Sequence, residues 1–307
     1  MTDRGPGRRD LLRDAAFASL TDRAAGTQAA QDAMRTATRV PDDVLPTEIL
    51  RHGAYLCLSV RGDARRAVAA AALPALAARL GLRNEFDAGF EGHPSEAIAF
   101  LRRVDAVPAD ILDPHLLQAD AVIHVASPTA APVTEFCTEA PRLLGPAVTV
   151  VVLRGVVRPP SYTGVAMHNF AYAHQIAQQP GPVMPNAFLI PMKKTAAWWA
   201  KDWMERHTYF LPRYDEGGRM ASQGHALASA AGIPCMMRRT YKNLTVPAPD
   251  DAYDFLTYFE CADVDVPTFH QVCAVLRDVS KNPEWTFVRE GPTWHGRRVA
   301  TWLELFA

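Results

Sequence analysis

Hydrophobic positions in the first half of the chain fall into short runs alternating with amphipathic, alanine-rich stretches. Residues 54–60, 119–126 and 147–153 are apolar runs of strand length, rich in β-branched residues. Between them, residues 63–80 form an alanine-rich helical pattern stopped by Gly81, and residues 132–144 form a second helix. Residues 82–118, broken by Gly89, Gly92, Pro94, Pro108 and Pro114, read as irregular. The β-α-β-α-β order is that of a ferredoxin-like half. The tripeptide Arg61-Gly62-Asp63 is a strand exit followed by a helix cap rather than an adhesion motif.

The second half repeats the theme. A strand at 187–191 is followed by a helix over 197–231, interrupted near Leu211-Pro212. Strands at 234–242 and 255–261, a helix at 266–279 and a strand at 285–289 complete it, with a turn signature at 291–297 before the last strand. The pattern predicts a chain in four parts: an N-terminal extension (1–48) without a strong apolar stripe, a first half (49–160), a connection (161–186) and a second half (187–307). The connection carries several prolines together with His168, Tyr172 and His174, and Tyr162 begins it.

Composition narrows the function classes. With 49% hydrophobic residues and a net charge of -1, the 307-residue chain is an ordinary globular protein with no electrostatic case for nucleic acid or an anionic membrane surface. Five widely spaced cysteines form no zinc or redox pair, which predicts reduced thiols and a cytoplasmic setting. Neither a signal-peptide core nor an apolar run of membrane-spanning length is present.

The chemistry concentrates between Phe188 and Glu260. His225 lies on a helical segment and Arg238 thirteen residues later on a strand, so the two can flank a flat ligand. Upstream stand Lys194 and the pair Trp198-Trp199. Most of the ten histidines have the ordinary reading of surface or hydrogen-bonded groups. His225 is set apart by its spacing to Arg238 and by the tryptophan pair. Arg239 rivals Arg238, because neighbouring strand residues face opposite sides.

From Phe188 onward the sequence resembles the chlorite dismutase-like haem proteins, through Ile190-Pro191-Met192-Lys193-Lys194, Trp198-Trp199, His225 with Arg238, residues 254–260 and Gly291-Pro292-Thr293. The resemblance implies an α+β fold, two ferredoxin-like halves forming a pseudo-symmetric dimeric α+β barrel. It implies haem b as cofactor, with His225 as the proximal iron ligand and Arg238 on the distal face. Lys194 and Trp198 match positions beside the haem edge and propionates. Glu284 matches the acceptor for the other ring nitrogen of the histidine, with Glu260 as the fallback. The connection between Trp199 and His225 is longer than the family pattern and brings in His207 as an alternative ligand. The implied activity is oxidoreduction of a small anionic oxidant or peroxide: chlorite to chloride and dioxygen, or a peroxidase reaction. The alternatives are a haem-binding sensor or carrier without turnover, and a coproporphyrin-haem decarboxylase-like or aldoxime dehydratase-like enzyme. Members of the family form homo-oligomers, pentamers among them.

Overall fold

The computed structural model describes residues 52–60, 73–84, 86, 96–104, 118–157, 184–232 and 234–306. The expectations for the extension at 1–48, for Arg61-Gly62-Asp63 and for nearly all of the 161–186 connection lie outside them. Strands are β1 (His52–Val60), β2 (Ala97–Arg103), β3 (Ala121–Ser127), β4 (Val148–Val157), β5 (Asn186–Lys194), β6 (Arg213–Tyr214), β7 (Met220–Ser222), β8 (Met236–Lys242), β9 (Phe255–Cys261), β10 (Val288–Glu290) and β11 (Trp294–Val299). The α-helices are α1 (Leu73–Arg79), α2 (Ala130–Leu144), α3 (Ala196–Trp199), α4 (Trp203–Thr208), α5 (Gly224–Ser229) and α6 (Val266–Arg277).

The main sheet runs β10-β5-β11-β2-β3-β1-β4-β8-β9, and β9 pairs back onto β5. Eight antiparallel strands therefore close into a barrel, which removes the exposed edges of an open sheet. Within it β1 to β4 are ordered β4-β1-β3-β2, and the later strands β8-β9-β5-β11. One edge of β5 is shared: β11 pairs with Asn186–Leu189 and β10 with Met192–Lys194. Pro191, which lacks an N–H, falls in the gap between these two pairings, where no ladder donor is needed on that edge.

Strand alternation splits the side chains into an interior and an exterior set. Tyr55, Leu101, Val122, Leu189, Tyr241, Tyr258 and Trp294 fill the barrel. Outside it, α1 and α2 cover the first sheet half through Leu73, Leu76, Phe136 and Ala140 against Leu56, Phe100 and Ile123. Over the second sheet half, α6 buries Phe269, Val272 and Cys273 against Phe188, Ile190 and Phe259.

Four local expectations are revised. Residues 97–103 form β2 rather than irregular chain; the segment is buried at Ala97–Leu101 and hydrogen-bonds along both neighbours. The helix expected over 197–231 is three short helices and a hairpin, because residues 213–222 turn back through Gly217-Gly218 as β6 and β7. The 285–289 strand begins only at Val288, after a 3-10 turn at Pro283–Phe287, and the turn expected at 291–297 gives way to β11 from Trp294. All five cysteines are free, in agreement with reduced thiols. Among the described residues no helix is long and apolar enough to cross a membrane.

Candidate functional site

His225 sits on α5, a helix of only six residues that would be marginal by itself. Neighbouring segments hold it by taking up its first amides. The N–H groups of Gln223 and Gly224 donate to the Lys281 carbonyl at 2.8 and 3.1 Å, and those of His225 and Ala226 donate to Tyr209 and Phe210 at 3.1 and 3.2 Å. Gly224 makes this docking possible: its φ is +66°, and a Cβ there would lie 2.4 Å from the Leu211 carbonyl oxygen.

The same docking brings in Glu284. Asn282, fully buried, donates from its side chain to the Leu276 carbonyl at 2.9 Å and fixes the turn that follows α6. Glu284 Oε2 then lies 2.7 Å from His225 Nδ1, while Lys194 Nζ donates to Oε1. All three residues are buried. Burial alone would raise the Glu284 pKa, yet Lys194 and His225 together bring it down to about 2. Burial pushes the His225 pKa below its ordinary value, against the pull of Glu284. The result is a neutral imidazole with its proton on Nδ1, donated to a carboxylate, and the lone pair on Nε2.

His225 lines a cavity of about 340 Å³ including its mouth, between the outer face of the sheet and the covering helices. Ile190, Met192, Arg238, Thr257 and Phe259 form the sheet wall; Cys273, Leu276 and Arg277 of α6, with Trp285 and Glu290, form much of the rest. The register explains the sheet wall. Arg238 pairs with Phe259, Thr240 with Thr257, and Thr257 with Ile190, so outward-facing positions of three strands meet on one surface. Arg239 points the other way, into the barrel, where its charge acts on Tyr55, His124, Tyr241 and Tyr258. The strand parity thus brings Arg238, and not Arg239, to the cavity with His225.

Lys194 and Trp198, expected beside a ligand edge, lie against each other. Lys194 reaches Glu284 behind the histidine, with its ammonium 4.3 Å from the centroid of the Trp198 ring. Trp198 is fully buried against Tyr209 and Phe287, and neither residue lines the cavity. Glu260 is inside the barrel, accepting from Tyr258 at 2.5 Å and from Arg298 at 2.8 Å, so it is not the histidine's acceptor. His207 lies half-buried on α4, away from the cavity lining. Arg277 and Glu290 were not singled out by the sequence; the ion pair between α6 and β10 brings these residues, thirteen apart, to one mouth.

The residue set fits a haem. Among the described residues no group of three or more His, Cys, Asp or Glu could hold a bare metal ion. A neutral histidine backed by a carboxylate in an apolar cavity is a donor that could hold the iron of a porphyrin.

No protein-family model and no curated protein matches the chain. Solved structures do. A doubly substituted chlorite dismutase of Candidatus Nitrospira defluvii superposes with a TM-score of 0.58 at 22% identity, over 86% of this chain and 99% of that one. The chlorite dismutase of the same organism in complex with imidazole gives 0.58 and 22%, over 85% and 96%. A further variant of that enzyme, in complex with cyanide, gives 0.56 and 21%, over 85% and 95%. The chain therefore has the chlorite dismutase fold: a closed eight-stranded antiparallel barrel with helices packed outside.

Proposed function

We propose that the protein is a haem b-dependent oxidoreductase resembling chlorite dismutase, with His225 as the proximal iron ligand and Arg238 on the distal side. The observation that carries this reading is the Lys194–Glu284–His225 relay, which ends in a cavity that Arg238 also lines. The fold likeness to chlorite dismutases supports it. The strand orders of the two barrel halves support two ferredoxin-like halves, divided at 49–160 and 187–307, with the 161–186 connection between them. A cytoplasmic setting and a homo-oligomer complete the proposal.

Haem would supply the redox chemistry, taking chlorite to chloride and dioxygen or acting on peroxide. The protein residues do the rest. His225 presents Nε2, and Glu284 holds the proton on Nδ1 and raises the basicity of the ring. Lys194 keeps Glu284 ionised. The guanidinium of Arg238 offers only donors; its fork holds a small anion against the apolar lining and stabilises negative charge there. Ile190, Met192, Phe259 and Leu276 exclude water from that space. The test is the visible absorption spectrum of the protein and of His225→Ala after addition of haem. A sharp histidine-type Soret band, lost or shifted in the variant, is the expected result; spectra of free haem from both proteins would overturn the reading.

A further inference from the structure

The cavity wall carries two guanidinium groups at different depths. Arg238 is buried on the sheet side, whereas Arg277, on the last turn of α6, has a side chain 41% exposed. Nε and Nη2 of Arg277 donate to the two carboxylate oxygens of Glu290, each at 2.7 Å, and Nη2 also donates to Thr293 Oγ1 at 3.0 Å. A side chain that is both cavity-lining and half exposed stands at the mouth, and the bidentate contact fixes its plane there. A flat ligand bearing ionised carboxylates cannot turn them toward Ile190, Met192 or Leu276 without leaving charge unpaired in an apolar environment. Its apolar body goes inward and its carboxylate edge meets the mouth.

We propose that Arg277 is the docking point for a carboxylate of the ligand, and that it gives the cavity a preference for porphyrins with free carboxylates over their uncharged esters. Glu290 holds the guanidinium in place before the ligand arrives and shares or exchanges it afterwards. This rests on the haem reading above.

The experiment titrates haem and its dimethyl ester into the protein, into Arg277→Gln and into Arg277→Lys, following Soret absorbance, with circular dichroism as the check on folding. The parent is expected to bind the diacid about tenfold more tightly than the ester, the size of one charge-assisted contact at a partly exposed site. Arg277→Gln should lose that preference by weakening the diacid alone, and Arg277→Lys, which keeps the charge, should retain part of it. Equal binding of both ligands by the parent, an intact preference in Arg277→Gln, or equal weakening of both ligands would overturn the proposal. Absence of any haem binding by the parent would instead bring down the haem reading itself, and this proposal with it.

Discussion

Nδ1 of His225 lies 2.7 Å from Oε2 of Glu284, and the other oxygen of that carboxylate is taken by Lys194, so one buried anion holds a proton donor on each side. Removing the anion strands the lysine. Glu284→Gln is expected to cost about 3–5 kcal/mol in urea unfolding, the usual consequence of breaking a buried pair from one side. The double variant Lys194→Met/Glu284→Gln should recover part of that loss, because it removes the stranded charge. A single variant within 1 kcal/mol of the parent would show that the relay does not hold the fold.

Acid should unfold the ligand-free protein through the same residues. Glu284 titrates at about 2 in the folded state against an ordinary 4.5, so its contribution is complete above pH 4.5 and is lost as pH falls toward 2. Burial holds His225 and His124 below their ordinary 6.5, and the unfolded chain therefore binds their protons first as pH drops below that value. Both effects have the same sign. Stability measured by urea at pH 7, 5.5 and 4 should fall at each step, and most steeply below 4.5; a flat profile would contradict the burial of these groups.

Much of this site was legible in the sequence because its residues are fixed by spacing along continuous elements. His225 and Arg238 lie on an adjacent helix and strand, and of the two arginines that alternation sends to opposite faces, Arg238 is the one that lines the cavity. What escaped depended on register or on contacts between distant segments. β2 carries an almost unbroken apolar run flanked by prolines, without the alternation of a half-exposed strand, because both of its faces are covered. The hairpin at 213–222 resembled helix continuation since its strands are only two and three residues long. The contact of Lys194 with Glu284, ninety residues further on, is invisible in the local sequence of either residue.

The two neighbouring arginines should separate cleanly. In haem-loaded protein, Arg238→Ala is expected to lower turnover of chlorite or peroxide by about 10²-fold while leaving the Soret band in place, since it removes a positioned donor and not the iron ligand. Arg239→Ala, inside the barrel among Tyr55, Tyr241 and Tyr258, should instead lower the unfolding midpoint. Steady-state assays and thermal melts on the two variants decide this. The reverse pattern would move the distal role to Arg239.

Gly224 tests how the histidine is positioned. Its φ of +66° and the 2.4 Å approach that a Cβ would make to the Leu211 carbonyl oxygen mean that Gly224→Ala must shift the start of α5. The backbone conformation alone costs about 1–2 kcal/mol for an L-residue, and the contact with Leu211 adds to it. Because the amides of Gly224 and His225 dock on Lys281 and Tyr209, the shift should pull the imidazole away from Glu284 as well. Gly224→Ala should therefore be destabilised in urea and should bind haem at least tenfold more weakly than the parent. Gly218→Ala, at a hairpin turn where φ is +75° but a Cβ would meet nothing within 4 Å, is the matched control. It carries the backbone cost alone, and its haem affinity should stay that of the parent. Equal haem affinities in the two variants would mean that the packing of α5 against Leu211 does not set the position of His225.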